Sequence, residues 1–149
     1  MAFLDQAQRY GALAIQKPSS GLLWFLAGAF AYGLVKASAV GACQRPPDGF
    51  GDAVLSAAEE ELGWRVGVPA MLAGVGMTTP AIGLISSAAF GLGHVGDGSP
   101  AWEGFRFTDA TLGGLLYTKA FLSHGFLGAL ATHLAHNVGV YTGGKCDGS

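Results

Sequence analysis

Residues 21–43 read GLLWFLAGAFAYGLVKASAVGAC, an apolar run interrupted by one charge, Lys36. About 20 such residues cross the hydrocarbon of a bilayer as a helix. Lys36 lies near enough to the end of the run to reach the interface along its own aliphatic stem. A signal peptide is the alternative, since Ala37-Ser38-Ala39 resembles a small-residue cleavage site. With Met1 at the head of the sequence, the run is read as an uncleaved first membrane helix.

The composition of the 149 residues points the same way. Charged residues make up 12% and hydrophobic residues 50%, against roughly a quarter charged in an ordinary soluble domain. Mean hydropathy is +0.40. The 25 glycines suit helices that must approach closely where lipid removes the hydrophobic effect. A net charge of −2 argues against nucleic acid, which needs clustered Lys and Arg. Cys43 and Cys146 form no CxxC pair and no disulfide framework.

Working outward, residues 1–20 are mixed and polar, with Arg9 and Lys17, and close on Pro18-Ser19-Ser20. Gln44 to Asp52 reads as a loop. A second helix is expected over Ala53–Met77, and Pro80 suits the first turn of a third, which ends near His94. Gly96, Gly98 and Pro100 open a polar loop through Arg106. Thr108–Phe121 forms a fourth helix, Ser123-His124-Gly125 a tight turn, and Phe126–Tyr141 a fifth. The fold class is therefore all-α, a polytopic transmembrane bundle of about five membrane helices. Its divisions are an N-terminal segment with the first helix and loop (1–52), a helical core (53–142) and a tail (143–149).

Polar groups inside a membrane are costly, so each invites a functional reading. Glu61 and Arg65 are four apart and share a helix face. Glu60 lies about 100° around the helix from Glu61, whereas Glu59 suits a solvated helix start. His94 ends an apolar helix, where a histidine alone is more often a dipole-compensating cap. His133 and Asn137 share a face within another apolar helix; taken alone, they could simply fix packing. His124 sits in the turn, is expected to face water and is assigned nothing. In an up-and-down bundle, the start of helix two, the end of helix three and the second half of helix five meet at one depth on one side. The three clusters therefore converge.

Three spaced motifs carry a resemblance: Glu60-Glu61-Leu62-Gly63-Trp64-Arg65, Phe90-Gly91-Leu92-Gly93-His94 and His133-Leu134-Ala135-His136-Asn137. In this order the chain resembles the CAAX prenyl-endopeptidase and bacteriocin-processing family, over roughly Ser56 to Val140. The resemblance implies a glutamic-type intramembrane peptidase without a cofactor. Glu60 and His94 would hold and deprotonate a water, His133 and Asn137 would donate to the oxyanion, and Glu61 and Arg65 would act as an orienting pair. It implies a membrane-associated protein or peptide as substrate, the lipid bilayer as surroundings, and a multi-pass location in a bacterial inner or plasma membrane.

Two rivals stand beside this reading. Glu60, His94 and His133 (or His136) are residue types that ligate zinc, although no H-E-x-x-H is present. A non-enzymatic bacteriocin-immunity or scaffold protein would carry similar motifs. Arg9 and Lys17 favour a cytoplasmic N-terminus. That places the Cys43 loop, the Arg106 loop, the Cys146 tail and the mouth of the site on the opposite side.

Overall fold

Pro69 fixes the least regular part of the chain. A computed structural model of the protein describes residues 2–40, 50–96 and 98–143. Among them the elements are α1 (Ala2–Ala14), α2 (Leu22–Val40), α3 (Phe50–Glu61), a π-helical segment (Leu62–Gly67), α4 (Val68–Gly74), α5 (Thr79–Leu92) and α6 (Pro100–Gly143), with no strand. The second helix expected from sequence is thus α3, the π segment and α4 in succession. In the π register each N–H reaches back five residues, as Val68 N–H does to the Gly63 carbonyl. The next donor in that ladder, for the Trp64 carbonyl, falls on residue 69, and proline has none. A buried carbonyl needs a partner. The Trp64 oxygen finds two, the Ser86 hydroxyl and Arg65 Nη1 at 3.2 Å.

α6 consists of two helices that meet at Gly125. Gly125 sits at φ 71°, ψ −170°, a left-handed conformation that glycine adopts without steric cost. The chain reverses there. Tyr117 and His133, sixteen positions apart, would be about 24 Å apart along a straight helix, yet their rings stack at 4.5 Å. A Cβ at Gly125 would also lie 2.6 Å from the Gln16 carbonyl oxygen and 2.7 Å from that of Leu13. The tip of the hairpin is therefore packed beneath the end of α1.

α5 runs antiparallel to the first limb of α6. Gly83 faces Thr118, Gly114 faces Ser87 and Gly91 faces Thr111, with a Ser87–Thr118 hydroxyl pair at 3.3 Å. α2 runs parallel to the second limb. Phe25 packs edge-on to His124 near one end, Tyr32 stacks on His136 midway, and Leu34 and Ala37 meet Gly143 at the other. The α2 contact is close because Gly33 lacks a side chain. A Cβ there would fall 2.8 Å from His136 Cδ2 and 2.9 Å from the Val140 nitrogen.

Four expectations need correction. The polar N-terminus folds as α1, whose Tyr10 is buried against Ala73, Ile82, Phe121 and Ala129; its apolar face was hidden by the polar residues alternating with it. The stretch from Pro100 to Arg106 is helical. Ser99 Oγ accepts the Trp102 N–H, and the Glu103 carboxylate accepts the Gly96 and Gly98 N–H groups at 2.6 and 2.7 Å, so the polar residues cap a helix start. His124 is buried: its Nδ1 accepts the Ser19 N–H at 3.3 Å and lies 3.0 Å from Ser19 Oγ. Lys36 does not reach outward but pairs with Asp109 at 2.5 Å.

Of the five membrane helices expected, one among the described residues, α2 at Leu22–Ala39, is both long and apolar enough to cross a bilayer alone. α5 is apolar but has 14 residues. Cys43, Cys146 and most of the loop expected over 44–52 lie outside the described residues, whereas Phe50–Asp52 begin α3.

The α2 contact yields a test. Gly33→Ala should destabilise the detergent-solubilised protein by about 1–3 kcal/mol, as overpacking does. Gly28→Ala, where a Cβ meets nothing within 4 Å, should leave the melting temperature unchanged or slightly raised. Thermal melts followed by circular dichroism make the comparison.

Candidate active site

The π segment follows Glu60 and Glu61 directly, and it holds Arg65 inside the bundle. The Arg65 side chain is 1% exposed and that of Glu61 0%, with Arg65 Nε 3.3 Å from Glu61 Oε2. This is an ion pair rather than an aligned hydrogen bond, since neither atom has a hydrogen-bond partner. The guanidinium lies over two aromatic rings, 5.0 Å from the centre of Phe90 and 5.7 Å from that of Tyr117. A desolvated cation–π contact of this kind contributes about 2 kcal/mol, which helps offset the cost of burying the charge.

The other oxygen of Glu61 faces the hairpin. His133 Nδ1–H donates to Glu61 Oε1 at 2.9 Å. The carboxylate thereby fixes which way the imidazole faces, and its second nitrogen, Nε2, lies 4.0 Å from Glu60 Oε2. The two adjacent carboxylates differ sharply. Glu61 is sealed between Arg65 and His133, whereas the Glu60 side chain is 34% exposed. Glu59 is exposed on the outer face, as a solvated helix start requires.

His94 reaches the cluster through Phe90. Its Nδ1–H donates to the Phe90 carbonyl at 2.8 Å, and in the neutral ring that leaves Nε2 as an acceptor. The ring lies 4.4 Å from that of Phe90. Phe90 also meets His133 edge-to-face at 6.3 Å, Tyr117 at 6.2 Å and Trp64 at 6.2 Å. Phe90 is thus the apolar hub around which Arg65, His94 and His133 gather.

The structure brings Glu60, Glu61, Arg65 and His133 into direct proximity and joins His94 to them across one ring. It gives His94 no direct contact with Glu60. Asn137 is half-buried one turn past His133, and no side-chain hydrogen bond ties it to the described residues. Among the described residues no group of three or more His, Cys, Asp or Glu side chains is arranged to hold a metal ion. His136, the alternative ligand, points elsewhere, its Nδ1 bonded to the Tyr117 hydroxyl.

The profile of the family described as type II CAAX prenyl endopeptidase Rce1-like matches residues 44–139, well over half of the sequence. The chain belongs to this family. The Rce1-like family is one of membrane-embedded proteases, and the match takes in Glu60, Glu61, Arg65, His94, His133 and Asn137. It leaves α1 and α2 outside. No curated protein and no solved structure shows a significant match.

Sequence reading missed several residues of this Rce1-like site. Tyr117 stood in an apolar run with nothing to mark it, Phe90 opened the motif that ends at His94 but was given no role, and Ser86 was one hydroxyl among small residues. Asp109 did carry a signal, as a carboxylate within an apolar helix. Its partners, Tyr32 at 2.7 Å and Lys36, lie on a helix too distant in sequence to be paired with it.

Arg65→Ala would leave Glu61 buried without its cation, and breaking such a pair costs about 3–5 kcal/mol. A large drop in melting temperature is expected, with activity falling alongside it. Arg65→Lys should recover only part, because a point charge cannot lie between two rings and also reach the Trp64 carbonyl. Thermal unfolding in detergent of both variants checks this.

Proposed function

We propose that this chain is a multi-pass intramembrane endopeptidase that hydrolyses a peptide bond of a membrane-associated protein or peptide by glutamate- and histidine-activated water. The observation that carries the proposal is the unequal carboxylate pair. Glu61 is sealed and spends both oxygens on Arg65 and His133, while Glu60 beside it is 34% exposed and keeps a buried Oε2 without a hydrogen-bond partner.

In this mechanism Glu60 and the free Nε2 of His94 hold one water. As the water oxygen attacks the scissile carbonyl carbon, its proton passes to Glu60. The carbonyl oxygen becomes an oxyanion, stabilised by the Asn137 amide and by Nε2–H of His133 in its imidazolium form, in which Nδ1–H still donates to Glu61 and fixes the ring orientation. Glu60 then delivers its proton to the leaving nitrogen as the C–N bond breaks. Losing one oxyanion donor typically costs on the order of 10²–10³ in kcat.

Immersion of the whole bundle is supported by the distribution of side chains. Trp24, Leu55, Met71, Leu84, Leu112 and Leu127, spread over α2 to α6, all point outward and exposed, whereas Glu61, Arg65, Asp109, His133 and His136 are buried. A water-soluble surface would reverse that pattern. Helices too short to cross alone are tolerated when neighbours surround them.

The test uses proteoliposomes and an internally quenched farnesylated CAAX peptide, the probe suggested by the family. Wild-type protein should cleave it. Glu60→Gln and His94→Ala should each reduce cleavage by at least about 10²-fold while keeping the wild-type circular dichroism. Normal turnover by either variant would remove the water-activation roles. Chelator should leave the rate unchanged; inactivation reversed by zinc would favour a metalloprotease.

The mouth is proposed to open on the side opposite the N-terminus. Membrane-impermeant thiol reagent applied to intact cells after reduction should label Cys43 and Cys146. Labelling only after permeabilisation would place the site in the cytoplasm.

A further inference from the structure

The hydroxyl of Tyr117 and the ring of His136 have no part in the chemistry proposed above, yet both are buried beside it. The face of Tyr117 lies on that of His133 at 4.5 Å with 13° between planes, so it is the floor of the imidazole. Its hydroxyl is bonded to His136 Nδ1. His136 in turn is stacked on Tyr32 at 5.3 Å, the Tyr32 hydroxyl donates to Asp109 Oδ1 at 2.7 Å, and Asp109 Oδ2 is paired with Lys36. This is a continuous set of polar and stacking contacts from α2, through both limbs of α6, to His133.

Burying so many polar groups among apolar helices is costly unless each is satisfied. A merely structural staple needs no more than the Lys36–Asp109 pair. The chain extends further, and it terminates on the one imidazole that Glu61 already orients from its edge. An edge bond alone leaves a ring free to rock about the hydrogen-bond axis; a stacked face removes that freedom. Edge and face together define the plane in which Nε2 points.

We propose that Tyr117 is a positioning residue for His133, and that His136 holds Tyr117 in place, anchored to α2 through Tyr32 and Asp109. The inference rests on the reading of His133 as an oxyanion donor. It also gives a role to α2, which lies outside the family match: it braces the catalytic hairpin from behind.

Two measurements on the full-length protein test it. The first is kinetic, with the farnesylated CAAX peptide in proteoliposomes. Tyr117→Phe keeps the stacked ring and loses its anchor, so kcat should fall about three- to tenfold, the range of one neutral hydrogen bond. Tyr117→Leu loses the face itself, and kcat should fall by about 10²-fold at unchanged KM, as misplacement of a catalytic group does; His136→Leu removes the same anchor as Tyr117→Phe, and kcat should fall about three- to tenfold. His136→Asn, whose amide oxygen reaches the Nδ1 position, should restore most of it. If kcat per folded enzyme is unchanged and losses follow the folded fraction, the role is structural and the proposal fails.

The second measurement does not need turnover. In protein labelled with nitrogen-15 at histidine, the His133 ring signals, identified by their loss in His133→Gln, should shift in Tyr117→Leu and His136→Leu and return in His136→Asn. Unchanged signals in both leucine variants overturn the proposal. A wild-type protein that leaves the peptide uncut counts against the proposed activity, and the nitrogen-15 comparison then decides the positioning by itself.

Discussion

A single carbonyl oxygen without a backbone donor organises the interior of this protein. Pro69 cannot donate to Trp64 in the π register, and the oxygen is taken instead by Ser86 from α5 and by the guanidinium of Arg65. Once Arg65 is turned inward, the rest follows in sequence. Its charge demands a counterion, which Glu61 supplies; Glu61 has a second oxygen to satisfy, which His133 fills. A helix defect of one residue is thereby transmitted to the hairpin across the bundle. π segments often occur at functional sites because they redirect side chains that a regular helix would keep in line.

The partition of side chains accords with the membrane-embedded family to which the chain belongs. Large apolar residues face outward on nearly every helix, while acids, histidines and an arginine fill the centre. Lipid tails offer no advantage to burying one apolar surface against another. Close packing at Gly33, Gly91 and Gly114 and the buried polar contacts must therefore supply much of the cohesion. This also explains how a chain with a single long apolar helix among its described residues can belong to a membrane-embedded family. Segments such as α5 are flanked by protein on several sides and need not satisfy a lone-helix criterion.

How much of this was legible in the sequence depended on distance along the chain. Local pattern was enough for the all-helical class, for the α2 span and for the turn at Gly125, where a small residue sits between two apolar runs. The i,i+4 spacing disclosed the Glu61–Arg65 pair, and helix polarity placed the three motifs at one end. It did not disclose that Glu61, rather than Glu60, would hold His133: the two acids end α3 about 100° apart, and which of them meets a histidine 72 positions away is set by tertiary packing. Nor did it disclose α1, where Asp5, Gln6, Gln8 and Arg9 precede Tyr10 and obscure the apolar face, or the burial of His124, which depends on Ser19 arriving from 105 positions away. Contacts of that range leave no trace in local composition.

The hairpin centred on Gly125 behaves as a mirror plane in numbering. A residue at position n on one limb faces a residue near 250 − n on the other, as Tyr117 does His133. Because the tip is clamped under the carbonyls of Leu13 and Gln16, a length change on one limb cannot be absorbed by sliding the turn. One inserted residue between Tyr117 and Gly125 would displace everything before it by about 1.5 Å and rotate it by about 100°. Natural variants of this chain should therefore vary in length at the open ends of the bundle and hold the spacing from Tyr117 to His133 constant, so that this interval serves as a gauge of whether a relative retains a working site.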